Sequence, residues 1–312
     1  MPSSLMLKYL GVFLANSVHT RLKTCYRVRV QSSGVSYIKE LYTIYMTKIE
    51  ALISDSDGTL VDTVSLIRHG QYETAKQYLV EHGIPDEGIP SYETYDDLLT
   101  KTVGGSARDT LERTIRLLFK ASPHHLNGMD FDKLHDMLNP VQDRIAKEHI
   151  KAYEGLSDFL HGLGEAGIGL AIFTSGTPHH IVRNFGVALP ELGMENAHLD
   201  KSKSDEEKLR DFEKRFADVF GISKFTVVTS DDTEKHKPEP DSLHLAMNRL
   251  GVDSSKSVVL GDHKVDMQTG KNAGVDKRIG ITHGFDDEET LKSHGATHIA
   301  NSLSDVNKHL QD

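Results

Sequence analysis

The chain has a single cysteine, Cys25, no excess of positive charge and no long apolar run, and each shortage removes a class of function. One thiol builds neither a disulfide framework nor a thiolate metal cluster. It fits a reducing compartment, with the cytoplasm as the expected location. A formal charge of −10 over 312 residues argues against a general nucleic-acid binder, which needs a basic face. An anionic small molecule is still open as a partner, because a local cation overrides the overall field. No apolar run approaches the roughly 20 residues of a membrane-spanning helix, so the reading is a soluble protein without a membrane partner. Apolar content is ample for a core, in one large or two modest domains.

Positive charge is gathered at the start instead. Residues 1–45 carry Lys8, Arg21, Lys23, Arg27, Arg29 and Lys39 against one acid, Glu40. That net of +5 leaves −15 on the remainder, a sharp change of sign. The segment reads as an organelle-targeting sequence, as a basic arm, or as an extension of no functional weight ahead of a domain starting at Met46. The third reading is favoured, because charged, apolar and cleavage regions do not follow in order and "YLGVFLA" is short and poorly flanked.

From Met46 onward strands and helices alternate. "EALISD", "IGLAIFT", "KFTVVTS", "KSVVLGD", "KRIGIT" and "THIA" read as short buried strands with helical stretches between them. Residues 63 to 150 read as helical without a strand, with Pro140 as a kink or break. The charged stretch 200 to 220 puts Leu209, Phe212, Phe216 and Val219 on one stripe, the pattern of a packed amphipathic helix. The expected fold is α/β, a doubly wound parallel (Rossmann-like) sheet over 46–64 and 153–312, with an all-helical cap inserted over 65–152.

In such a sheet the site lies at the carboxyl ends of the strands. The first strand ends at Asp55, with Asp57 two residues on. The second ends at Thr174, followed by Ser175 and Gly176. "KHKPEPD" supplies Lys237, and "VVLGDHKVD" supplies Asp262 and Asp266. These suit phosphoryl transfer. One aspartate attacks phosphorus and a second, two residues along, gives the leaving oxygen a proton. Asp55 and Asp262 make a hard oxygen site of the kind Mg²⁺ prefers. Lys237, Thr174 and neighbouring backbone N–H groups would hold the phosphoryl oxygens. The Gly58-Thr59 turn lets the chain leave the strand tightly.

"DSDGTLVDT", "AIFTSG", "KHKPEPD" and "VVLGDHKVD" resemble the four ordered motifs of the haloacid dehalogenase-like hydrolase superfamily, over roughly 46 to 312. The resemblance implies Asp55 as nucleophile, Asp57 as general acid/base, and Thr174, Ser175, Gly176 and Lys237 at the phosphate. It implies Mg²⁺ on the Asp55 carboxylate, the Asp57 backbone carbonyl and the Asp262 carboxylate, with Asp266 in support. The helical insert falls where the cap sits in the phosphoglycolate phosphatase and β-phosphoglucomutase branch. Its "VGGSARDTL" is similar to a cap loop that enters the active site, which makes Arg108 a candidate contact for a second anionic group. A surface arginine at a helix start is the commoner case. Ser56 departs from the family, which usually has an apolar residue there.

The expected activity is a Mg²⁺-dependent phosphatase acting on a small phosphorylated metabolite through a phospho-aspartyl intermediate, in a monomer or homodimer. A β-phosphoglucomutase-like phosphosugar mutase and a non-catalytic regulator on the same fold are the rivals. A dehalogenase is disfavoured, since displacing a halide does not need the acid Asp57. The pairs His124-His125 and His179-His180 read as solvated histidines, and Asp62 as a turn or cap residue as readily as a supporting acid.

Overall fold

A computed structural model describes residues 24–32, 35–43, 48–102 and 106–311. Contacts divide the chain into two compact units, residues 1–48 and 49–312. In the first, β1 (Thr24–Ser32) and β2 (Val35–Thr43) form an antiparallel hairpin, with Thr24 opposite Thr43 and Ser32 opposite Val35. Val28 and Val30 alternate with Arg27 and Arg29, the two-residue period of a strand. None of the three readings of the basic segment anticipates this hairpin. The apolar patch "YLGVFLA" and residues 103–105 of the proposed cap loop lie outside the described residues.

The second unit is built on a six-stranded parallel sheet of β3 (Ala51–Ser54), β6 (Gly169–Phe173), β7 (Phe225–Val228), β8 (Ser257–Gly261), β9 (Lys277–Ile281) and β10 (His298–Ala300), in the order β10-β9-β8-β3-β6-β7. These are the six strands expected from the sequence. Their near-continuous apolar runs are what a sheet covered on both faces requires. Leu52, Leu170, Ile172, Val258 and Leu260 face one buried cluster, while Ala51, Ile53, Ala171, Phe173 and Val259 face another.

The first cluster is covered by α5 (Leu156–Ala166), α6 (Pro178–Ala188), α7 (Asp205–Phe220) and α11 (Leu303–Gln311). The second is covered by α8 (Asp241–Leu250), α9 (Lys264–Asn272) and α10 (Glu288–Ser293). Helix α7 is the charged stretch. Ser204 and Glu207 cap it reciprocally, and Phe212, Phe216 and Phe220 bury its apolar stripe.

Between β3 and α5 lies the all-helical cap, with α1 (Val64–Glu81), α2 (Tyr92–Thr102), α3 (Ala107–Leu118) and α4 (Phe131–His149). It has its own apolar cluster, which includes Tyr78, Tyr95, Leu99, Leu111, Ile115 and Leu134. Helix α4 runs through Pro140 without the break the sequence suggested. A two-residue antiparallel ladder of β4 (Val61–Asp62) and β5 (Lys151–Ala152) flanks the cap, and sequence reading did not find it. Ladders this short leave no period to detect.

Candidate active site

Strand order decides where the site falls. The chain leaves central β3 for β6 and β7 on one side, then returns to fill β8, β9 and β10 on the other. The carboxyl ends of β3 and β8 therefore meet at the switch point, where open α/β sheets bind ligands. Asp55 follows β3 directly, and its N–H donates to Leu260 O at 2.9 Å. Asp262 follows β8, and Asp266 lies in the first turn of α9. Thr174 follows β6, its N–H donating to Val228 O at 2.9 Å. All these residues, with Asp57, Ser175, Gly176 and Lys237, line one cavity of about 550 Å³ between sheet and cap.

The turn after Asp57 is set by close approach. The Ser56 carbonyl accepts from the N–H groups of Thr59, Leu60 and Val61, and Gly58 adopts a φ of 81°. A Cβ at Gly58 would stand 2.4 Å from Asp262 Oδ2, and one at Gly284 only 1.9 Å from that oxygen. Glycine at these two positions lets two backbones close on one carboxylate. Asp262 is held there by Thr59 Oγ1, donating to Oδ1 at 2.6 Å, and by Phe285 N–H, donating to Oδ2 at 2.8 Å. Ser56 is buried with its Oγ unpartnered among the described residues, a physical mark of the departure noted in the sequence.

Lys237 ties the carboxylates together. Its Nζ donates to Asp55 Oδ1 at 2.6 Å and to Asp266 Oδ1 at 2.8 Å, and lies 3.7 Å from the centre of the Phe173 ring. Burial opposes the ammonium, yet Asp266 and Asp55 together hold its pKa above the ordinary lysine value. One lysine does not balance this much negative charge. Burial pushes the Asp55 pKa up to about 7; Lys237 works against that shift, and repulsion from Asp266 and Asp57 adds to it. Asp262 is raised well above the usual carboxylate range by burial and then by Asp55 and Asp266. Asp57 is raised by burial, with Thr63, Arg183 and Asn184 opposing the shift.

That imbalance is a test of the expected cation. Asp55, Asp262 and Asp266 each offer an oxygen within 4.8 Å of the others, and all three are buried. Buried, clustered, hard oxygens, with the Asp55 and Asp262 carboxyls pushed up by burial, fit a hard divalent ion. Asp55 and Asp262 are the two carboxylates the resemblance implies for the metal, and Asp266 is the acid it gives in support. Both oxygens of Asp266 are engaged, as those of Asp262 are: Oδ1 takes Lys237 and Oδ2 takes the His263 N–H at 3.1 Å.

The expected phosphate cradle has a detail the sequence hides. Gly176 N–H donates to Thr174 Oγ1 at 2.9 Å, so this amide supports the threonine instead of facing the cavity. Thr174 Oγ1 thereby accepts one bond and keeps its own hydrogen to give. The Ser175 N–H has no partner among the described residues. Arg108 stands in the first turn of α3 and lines the cavity, with its side chain 60% exposed and 3.6 Å from Asp136. Asp62 lies in β4 and does not line the cavity.

His179 and His180 are not the solvated residues expected. His179 Nε2 lies 2.8 Å from Asp143 Oδ1 on α4. His180 Nδ1 accepts from the Thr177 N–H at 3.2 Å, so Nε2 carries the hydrogen and donates to Asn139 Oδ1 at 2.8 Å. Burial, then Arg183 and His179, push the His180 pKa down to about 3, and the ring is neutral. The sequence reading tested adjacency on one helix and missed pairing across to α4. It also missed Arg183 and Asn184, although positions three and four beyond His180 share its helical face.

Fold and site together define a hydrolase on a doubly wound α/β sheet, with an aspartate cluster at its strand ends and a helical cap beside them. The chain belongs to the haloacid dehalogenase-like hydrolases, whose family pattern matches residues 49–274. It is similar to pyrophosphatase PpaX of Bacillus velezensis, at 26% identity over 83% of this chain and 95% of the relative. It is similar to the phosphoglycolate phosphatase of Aquifex aeolicus, at 22% identity over 75% and 85% of the two chains. Among solved structures it shares its fold with a predicted phosphoglycolate phosphatase from Haemophilus somnus, with a TM-score of 0.63 at 17% identity, covering 85% of this chain and 99% of that one. No helix among the described residues is long and apolar enough to cross a membrane.

Proposed function

We propose that this hydrolase is a Mg²⁺-dependent phosphatase that cleaves a small phosphorylated metabolite through a phospho-aspartyl intermediate. The observation that carries the reading is Lys237 clamped between Asp55 and Asp266, with Asp57 and Asp262 lining the same cavity. The Asp55 carboxylate attacks phosphorus, forming an O–P bond as the ester O–P bond breaks. Asp57 gives its proton to the departing oxygen. The resulting Asp57 carboxylate then takes a proton from a water, whose oxygen bonds to the phosphorus as the Asp55 O–P bond breaks, releasing phosphate and restoring the Asp55 carboxylate and the Asp57 acid. Lys237, the Thr174 hydroxyl and the Ser175 N–H hold the phosphoryl oxygens through both steps.

Mg²⁺ would be held by Asp55 and Asp262, with Asp266 or the Asp57 carbonyl completing the set. When bound, it neutralises charge on the carboxylates and the phosphoryl group. Arg108 supplies a charged contact at the cavity mouth for a substrate with a second anionic group. The relatives' names put pyrophosphate and phosphoglycolate first among the compounds to try.

The test is a phosphate-release panel of sugar, acid and nucleotide phosphates, pyrophosphate and p-nitrophenyl phosphate with Mg²⁺, and with Asp55→Asn as control. The expected outcome is turnover by the native chain and a loss on the order of 10⁴-fold or more in the variant. A native chain that releases no phosphate from any member, or an unaffected Asp55→Asn, sinks the proposal. β-Glucose 1-phosphate with a bisphosphate primer is also included. Glucose 6-phosphate instead of free phosphate would make the chain a mutase.

A further inference from the structure

The chemistry above leaves one buried polar chain without a task. Asp143, on cap helix α4, accepts at Oδ1 from Arg183 Nη1 at 3.1 Å. Arg183 Nε donates to Asn184 Oδ1 at 3.0 Å, and Asn184 Nδ2 donates to Asp57 Oδ1 at 2.7 Å. Arg183 and Asn184 are each only 2% exposed. Burying a guanidinium is costly, and its charged partner here sits on the cap instead of on its own helix.

The donors fix the direction of every link. Arginine only donates, so Asn184 must turn its oxygen towards Arg183 and its NH₂ towards Asp57. The amide orientation follows from chemistry and not from a choice between look-alike atoms. Thr63 Oγ1 adds a second donor to the same Asp57 oxygen at 2.9 Å. With Oδ1 accepting two hydrogen bonds, the proton of the acid form belongs on Oδ2. That oxygen has no hydrogen-bond partner among the described residues, and Asp57 lines the cavity.

We propose that Arg183 and Asn184, anchored by Asp143 from the cap, are positioning residues that turn Asp57 so that Oδ2 presents its proton to the leaving oxygen. Both line the cavity, and the effect proposed for them passes through Asp57. The inference rests on the phosphatase reading, and it makes a demand that reading does not. Removing the relay must slow cleavage only where the leaving oxygen needs a proton. An alkoxide leaves poorly without one, whereas p-nitrophenolate leaves well.

The test uses the full chain with Mg²⁺ and compares single-turnover ester cleavage of p-nitrophenyl phosphate with that of the alkyl phosphate hydrolysed fastest in the panel. Asn184→Leu removes the donor to Asp57. Asp143→Asn removes the anchoring charge and keeps an amide oxygen that can still accept from Arg183. For Asn184→Leu the alkyl rate is expected to fall on the order of 10-fold to 100-fold, with the p-nitrophenyl rate within about 3-fold and KM within about 2-fold. Asp143→Asn moves the ratio the same way by less, and carries the test alone if Asn184→Leu does not fold. Equal losses on both substrates, an unchanged ratio in Asp143→Asn, or a raised KM with kcat intact overturns the relay. A native chain inactive on the whole panel instead overturns the phosphatase reading on which the relay stands.

Discussion

The two walls of the cavity are made of different chemistry. The wall at the strand ends is ionic, with Asp55, Asp57, Asp262 and Asp266 around Lys237. The wall borne on α1, α3, α4 and α6 is mostly uncharged: Gln71, Thr110, Asn139, Gln142 and a neutral His180. Its two cations are each set against an acid, Arg108 against Asp136 and Arg183 against Asp143. The first wall has charge left over for a metal and a phosphoryl group. The second offers hydrogen bonds and little net field, which suits reading the shape and polar groups of a leaving group.

Breaking the ionic wall is expected to have the largest effect. Lys237→Met leaves buried carboxylates without their cation and should lower unfolding free energy by about 3–5 kcal/mol in metal-free buffer, measured by urea titration. Added Mg²⁺ should restore part of that loss. Stability equal to the native protein in both buffers would mean that the carboxylates do not depend on the lysine.

The neutral wall makes an acid-sensitive contribution. His180 has an ordinary pKa of 6.5, lowered to about 3 in the folded chain. Below 6.5 the unfolded chain binds a proton that the folded chain does not, so stability falls with pH across that window. The loss approaches about 1.4 kcal/mol per pH unit until the folded value is reached. His180→Gln should flatten that part of the stability curve, and an unchanged slope between pH 6 and 4 would count against a neutral buried ring.

Smaller changes sharpen the contrast. Gly284→Ala places a methyl against Asp262 and should weaken Mg²⁺ binding by about 10-fold or more, read by calorimetric titration. Unaltered affinity would remove Asp262 from the metal set. Gln142 is buried, lines the cavity and has no hydrogen-bond partner among the described residues. Gln142→Leu should raise KM for the best metabolite by about 3-fold to 10-fold and leave p-nitrophenyl phosphate within about 2-fold. Equal changes for both would make this residue structural.

The ionic wall was the legible one. A strand that ends in Asp55-Ser56-Asp57-Gly58 announces itself, and parallel topology carries Thr174, Lys237, Asp262 and Asp266 to the same rim. The neutral wall was not legible, because Gln71, Asn139 and Gln142 sit in ordinary amphipathic helices where exposed glutamine and asparagine are unremarkable. What gives them meaning is how α4 packs on α6, and no local pattern encodes that. His180 shows the same limit. Its partners, Thr177 beside it and Asn139 on the cap, become visible only when both helices are in place.

The short ladder of β4 and β5 has a consequence for descent. Val61 pairs with Ala152 and Asp62 with Lys151, so the chain crosses into and out of the cap at neighbouring points. Antiparallel partners stand only about 5 Å apart. A block that begins and ends side by side, and that carries its own apolar centre, is interchangeable in principle. Exchanging it would bring a new second wall to an old first one. Swapping residues 63–150 for the cap of a relative is therefore a graft across a single seam, one that would transplant discrimination provided the new block keeps the contacts Thr63 and Asp143 make towards Asp57.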